Sequence, residues 1–277
     1  MTATSLRNRP LPQQAPAARQ PLVIAHRGFS HVAPENTAHA VHRAAAACAD
    51  AVEIDVQRTR DGHLVAIHDR TFRRTTDIAT RWPGRADDPV ESFTLAEIRR
   101  LDAGTWKHPN FAGVGVPTLR EVLDVLRGTD TGLLIELKEP GAFGGIESDL
   151  TDVLDTHPGG RPEDVTVQSF DAETLHTFAR LRPSYRIGLL TLSTPLRPQL
   201  VAWAGVVNPW HRGITETYVR RARLAGLQTY AWTVNEEQEM LRLARAGVDA
   251  LLTDRPDLAR QALLSEPCAR SGHVRFR

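Results

Sequence analysis

Lysine is almost absent from this chain: it stands only at positions 107 and 138, although basic residues total 34. Cysteine occurs twice, as Cys48 and Cys268, in no spacing that builds a metal knuckle or a disulfide framework, which suits a reduced interior. Neither sign of charge dominates, since 34 basic residues against 33 acidic ones leave a formal net charge of +1. No Lys/Arg block offers a field for nucleic acid, so phosphate chemistry has to be local to a site. No apolar run approaches membrane-spanning length. The first twenty residues, MTATSLRNRPLPQQAPAARQ, lack the apolar core of a secretory signal. They read as a disordered arm, and the cytoplasm is the expected location. A glycine-rich GxGxxG turn is missing after every apolar run, which argues against an open dinucleotide-binding sheet.

What the chain does have is repetition. At 277 residues and 41% hydrophobic it can bury one core of barrel size. Strand-like runs recur as LVIA (22–25), AVEIDV (51–56), HLVAIHD (63–69), GLLIELK (132–138), DVTVQSF (164–170), RIGLLTL (186–192), GVVN (205–208), TYAWTV (229–234) and DALLTD (249–254). Amphipathic helical patterns lie between them: TLREVLDVLR, DAETLHTFARL, and TETYVRRARLAG and NEEQEMLRLARAG, the last two closed by glycine. This alternation predicts a distorted (β/α)8 barrel over residues 21–265. Nine candidate strands compete for eight places, and the link QRTRDG is too short for a crossover helix, so one corner departs from a regular barrel. Residues 71–116 form a long insertion after the third strand, with a helix at TLAEIRRL, and residues 266–277 read as a flexible tail.

Polar residues interrupt or end the apolar strands. LVIA runs into His26 and Arg27, then Gly28, and PENT follows with Asn36 and Thr37 as caps of an Ala-rich helix. Glu53 and Asp55 are two apart, so both face one side of their strand. Turned inward they repel, and an oxygen-ligated divalent cation such as Mg²⁺ or Ca²⁺ resolves the conflict. Glu136 and Lys138 repeat the spacing and add a third carboxylate and an ammonium. His68 ends AIHD as His26 ends IAH, giving two imidazoles suited to acid and base work near neutral pH. Each feature alone is ordinary: a Glu-x-Asp is commonly a solvated face and a Glu–Lys pair a surface ion pair. Their coincidence at the convergent strand ends of one barrel points to catalysis. His31, His39 and His42 read as solvated or packed, His211 as a residue of the mouth or of the framework, and Asn235 and Asp254 as mouth residues or helix caps.

The motifs HRG, PENT, EID, DGHLVAIHD, RTT, LDAG, PTLREVL, IELK, QSF, WTVN and GVDALLTDRPD, in this order from residue 22 to about 264, resemble those of the glycerophosphodiester phosphodiesterases. The resemblance implies a distorted TIM barrel that hydrolyses small deacylated phospholipids to sn-glycerol 3-phosphate and an alcohol with a divalent metal. It makes His26 and His68 the acid/base pair, and Glu53, Asp55 and Glu136 the metal ligands. Arg27 and Lys138 become phosphate contacts, and Trp232 a pocket wall. On this reading Gly28 lets the backbone approach the phosphoryl oxygens. Two rivals stand beside it. One is a phospholipase D-like barrel acting on lysophospholipids or sphingomyelin, with Trp82, Phe93, Trp106 and Phe111 of the insertion as a greasy surface. The other is a non-catalytic phosphodiester-binding module, against which the histidines and carboxylates speak.

Overall fold

The computed structural model describes residues 20–138, 144–193 and 203–265. The expected arm, except Gln20, and the expected tail, with Cys268, lie outside the described residues. The nine strands among the described residues are β1 (Leu22–Ala25), β2 (Ala51–Arg58), β3 (Leu64–Ala66), β4 (Gly132–Leu137), β5 (Val165–Ser169), β6 (Arg186–Thr191), β7 (Val206–Pro209), β8 (Gln228–Ala231) and β9 (Ala250–Thr253). Eight of them are parallel and form a closed barrel, because β1 pairs with both β9 and β2. The ninth candidate is β3, which folds back antiparallel on β2 with Val56 opposite Ala66. The short QRTRDG link permits only that hairpin, since a parallel return needs a crossover.

Inside the barrel Ile24, Ala51, Leu134, Val206, Tyr230, Ala250 and Leu252 make a closed apolar plug, so the interior is a core rather than a channel. Outside, the strands pack on amphipathic helices, among them α1 (Ala38–Ala46), α4 (Leu119–Leu126), α6 (Ala172–Leu181), α7 (Glu216–Leu224), α8 (Glu237–Ala246) and α9 (Pro256–Ser265), with α5 at Ile146–Thr156. Helix α4 starts at a full capping box, Thr118 with Glu121, and buries Leu119, Val122, Leu123 and Leu126 at helical spacing. Helix α8 ends at Gly247, whose φ of 85° is the left-handed conformation glycine tolerates.

The insertion between β3 and α4 carries short helices α2 (Ile78–Arg81) and α3 (Leu95–Ile98), the latter with a Thr94–Glu97 capping box in the segment read as TLAEIRRL. It has its own core of Phe72, Ile78, Val90, Phe93, Ile98 and Val116 packed on Val65 and Ile67. Trp82 stacks on Phe93, with ring centroids 6.2 Å apart. Phe72 and Phe93 are fully buried and Trp82 packs half-buried against that core, so these three supply little greasy surface. Trp106 is 38% exposed.

Gly28 has a different reason from the one its motif suggests. Its φ is +80°, and a Cβ there would sit 2.6 Å from the backbone carbon of Ala40. The glycine is needed where the first loop presses on α1.

Candidate active site

Parallel pairing brings the polar strand ends to one mouth. The β2–β4 register sets Asp55 opposite Glu136 on neighbouring strands. Carboxylate oxygens of Glu53, Asp55 and Glu136 all lie within 4.8 Å of one another, and the three side chains are buried. Among the described residues Glu53 Oε1 has no hydrogen-bond partner, while Asp55 Oδ1 and Glu136 Oε1 pair with the Lys138 ammonium, 3.1 Å away in the case of Asp55. Three clustered hard oxygens with unspent lone pairs are the donor set a divalent cation requires, so the residues present fit such an ion.

Electrostatics at this cluster follow from crowding. Burial, then Asp55 and Glu136 beside it, push the Glu53 carboxyl far above its ordinary range. Burial and the Asp55 charge push Glu136 up to about 7 against the pull of Lys138. For Asp55 burial acts upward too, but Lys138 and Arg27 outweigh it and hold the carboxyl low. The cluster as it stands has more negative charge than its two cations comfortably neutralise, and a bound cation would lower all three.

Arg27 sits in the left-handed region, φ 58°, and lends two separate groups to the site. Its backbone N–H donates to Glu53 Oε2 at 2.9 Å, and its guanidinium reaches Glu35 Oε1 at 2.7 Å and Asp55 Oδ2 at 3.2 Å. Thr37 caps α1 as the sequence suggests, accepting from the Ala40 N–H at 3.2 Å. Asn36 does not. At φ 56° its carboxamide clamps Asp55, donating to Oδ2 at 2.8 Å and accepting from the Asp55 N–H at 3.1 Å.

Each imidazole is held through Nδ1 by an aspartate. His26 Nδ1 is 2.7 Å from Asp254 Oδ1, and Asp254 also accepts from Ser30 Oγ at 3.0 Å and from Asn235 Nδ2 at 2.6 Å. His68 Nδ1 is 2.7 Å from Asp69 Oδ1. A carboxylate can only accept, so the proton of each neutral ring is on Nδ1 and Nε2 is left for chemistry. Against burial, hydrogen bonds from His26, Asn235 and Ser30 hold Asp254 at about 2, and those from Arg74 and then His68 hold Asp69 at about 2. The His68 ring is pushed down by burial and by Arg27 and Lys138 nearby.

His68 is not at a barrel strand end as AIHD suggests. It lies two residues beyond the hairpin strand β3, and the loop is fastened by Ile67 N–H donating to Asp55 O at 2.9 Å and by Gln57 Nε2 donating to the carbonyls of Ile67, His68 and Asp69. Arg74 of the insertion grips Asp69 on one side and Glu35 on the other, at 2.6 to 3.0 Å, so one ionic chain runs from His68 to Arg27. Glu35, Asp69 and Arg74 stand in PENT, AIHD and RTT, where the sequence alone gives them no role. Their signal is pairing across the fold, invisible in the chain order.

Trp232 follows β8, donates from Nε1 to the Asn208 carbonyl at 2.6 Å, and meets Phe170 edge-on at 5.5 Å. His211 is paired with a carboxylate outside the triad: its Nδ1 is 2.6 Å from Glu239 on α8, which Arg242 also holds. It ties the turn after β7 to that helix. His31, His39 and His42 are exposed. Lys107 donates to the Ser30 carbonyl at 2.8 Å and pins the insertion to the first loop.

Fold and site together define a (β/α)8-barrel enzyme with a carboxylate centre and two clamped imidazoles. Residues 26–258 match the model of the glycerophosphoryl diester phosphodiesterase family, and the chain belongs to that family. It is 38% identical over 240 residues to a glycerophosphodiester phosphodiesterase of Caldanaerobacter subterraneus, covering 85% of this chain and 95% of that one. It is 34% identical over 256 residues to a glycerophosphodiester phosphodiesterase of Bacillus subtilis, covering 86% and 84%. A solved phosphodiesterase of Oleispira antarctica, in complex with the product sn-glycerol-3-phosphate, superposes with a TM-score of 0.81 at 31% identity, over 89% of this chain and 98% of that one. The protein is thus a phosphoric diester hydrolase. No helix among the described residues is long and apolar enough to cross a membrane.

Proposed function

We propose that this enzyme hydrolyses small glycerophosphodiesters to sn-glycerol 3-phosphate and an alcohol, with Glu53, Asp55 and Glu136 holding a divalent cation, Mg²⁺ or Ca²⁺. The observation that carries the reading is the convergence of two aspartate-clamped imidazoles on one buried carboxylate triad. When bound, the cation supplies Lewis-acid neutralisation of phosphoryl charge. Arg27 and Lys138 add fixed positive charge beside the same oxygens, where a low-dielectric wall makes it effective. One histidine takes a proton at Nε2 from the attacking hydroxyl or water, and the other returns one to the departing alkoxide oxygen. Asp254 and Asp69 keep both rings in the tautomer that this exchange needs, and they stabilise each ring when it is charged. Trp232 walls the mouth above Asn208 and limits water there.

A second reading has one observation in its favour. Phe170, Leu192 and Trp210, at the ends of β5, β6 and β7, are 47%, 72% and 41% exposed. An apolar rim of this kind suits a lysophospholipid tail. Alcohol release from glycerophosphocholine, glycerophosphoethanolamine and a lysophospholipid, each with and without EDTA, tests both readings. The expected result is turnover of the two deacylated diesters and its loss on chelation. Undiminished turnover after exhaustive chelation removes the metal from the scheme, and turnover of the lysophospholipid alone favours the second reading.

A further inference from the structure

Two carboxamides on the inner face of the barrel, Gln168 on β5 and Asn208 on β7, take no part in the chemistry above. Both are buried, at 1% and 0% exposure, and Asn208 Nδ2 donates to Gln168 Oε1. That single bond leaves Gln168 Nε2 and Asn208 Oδ1 with no hydrogen-bond partner among the described residues. Two carboxamides that share one N–H···O bond leave over one nitrogen and one oxygen whichever way the pair is turned, so the surplus is always a donor beside an acceptor. Burying such groups unpaired costs more than their mutual bond returns.

Gly188 on β6 faces the pair without a side chain. A Cβ at this glycine would lie 3.3 Å from Asn208 Nδ2, 3.4 Å from Asn208 Oδ1 and 3.4 Å from Gln168 Cβ, so any side chain would press on the pair. The pair is also next to the carboxylate cluster. Gln168 is the register partner of Glu136 on one side and of Gly188 on the other, which places it one strand away from the triad on the same inward face. Trp232 is tied to the same strand through its bond to the Asn208 carbonyl.

A donor and an acceptor set side by side match a hydroxyl, which accepts one bond and donates one. They do not match a phosphoryl oxygen, which has no proton to give, or a quaternary ammonium, which has neither function. Resting on the phosphodiesterase reading, we infer that Gln168 and Asn208, spaced by Gly188, form a subsite that takes a hydroxyl of the glycerol moiety and thereby selects glycerol over a plain alkyl group. A site that offers a paired donor and acceptor rejects the analogue lacking the hydroxyl, because that analogue leaves both groups buried and unsatisfied.

Calorimetric titration with sn-glycerol 3-phosphate and with propyl phosphate, Mg²⁺ in the buffer, isolates the hydroxyls from the phosphate without relying on turnover. The parent should bind glycerol 3-phosphate at least about tenfold tighter, the effect of one or two buried hydrogen bonds. In Asn208→Leu, Gln168→Leu and Gly188→Ala the preference should shrink to within about twofold. Gly188→Ala removes no polar group, so it answers the question if the amide variants do not fold by circular dichroism. Equal affinities in the parent, or a preference that survives the substitutions, overturn the subsite and leave the amides as hosts of a buried water. Binding of neither compound overturns the phosphate reading and the subsite with it.

Discussion

His26 and His68 do comparable work in the proposed scheme, and the structure gives them comparable supports, one aspartate each at 2.7 Å. Replacing either with Ala should lower turnover by about a hundredfold to ten-thousandfold, the range for losing a general acid or base. The double variant should be little worse than the worse single one, since residues acting in one step do not lose rate additively. Steady-state kinetics of the three variants check this, and strictly multiplicative losses would put the two rings in separate steps. Lys138 is the more specific case. Its ammonium fits between Asp55 and Glu136, a gap that a compact point charge fills and a planar guanidinium overfills. Lys138→Arg should therefore lose at least about tenfold in kcat/KM, roughly 1.4 kcal/mol of transition-state stabilisation. Kinetics equal to the parent's would sink the role given to Lys138. At this scale the sequence was a good guide to the residues that carry charge at strand ends. It is a poor guide to those that aim them: in the sequence Asn36 reads as a helix cap and Asp254 as a cap or a mouth residue, because capping and clamping use the same side chains.

Among the elements, the insertion is the part whose form the chain order least revealed. Its length and its helix at α3 were legible, but the turn that closes it depends on Asp102, which accepts from the N–H groups of Gly104, Thr105 and Gly113 and from the Thr105 hydroxyl. Burial alone would raise this carboxyl, yet these bonds depress it from its ordinary 3.8 to about 2. A depressed acid contributes stability that is complete above its unfolded value and is lost as pH falls through the folded one. Asp102→Asn should thus lower the unfolding temperature at neutral pH by a few degrees, and the deficit should close as pH falls from 3.8 to about 2. Thermal scans of both proteins across that window measure it. A deficit independent of pH would mean that the amide disturbs the turn for some reason other than charge. The strand β3 shows the same division. Its apolar run reads as a strand in the sequence, where the short link before it marks an irregular corner, whereas its antiparallel place beside β2 and off the barrel is seen only in the fold.

For the whole molecule, closure is the governing fact: β1 bonds to β9 and to β2, so the first and last strands share one ladder, and the interior plug draws on β1, β2, β4, β7, β8 and β9. Removing part of that plug should be felt everywhere. Leu134→Ala, at a fully buried inward position, should cost about 2–5 kcal/mol in denaturant unfolding. A cost below about 1 kcal/mol would show that the interior collapses around the gap instead of relying on close packing. The sequence by itself determined the alternation of strands and helices, the residues whose charges interrupt apolar runs, and the Glu-x-Asp spacing that sends two carboxylates to one face, because period and polarity are local properties of a chain. Only the tertiary structure decided which of nine strands left the barrel, that Gly28 answers to α1, that Arg74 joins His68 to Arg27, and that Gln168 and Asn208 meet across Gly188. Those are contacts between residues far apart in the chain, set by strand register and barrel closure, and no short stretch of sequence contains both partners.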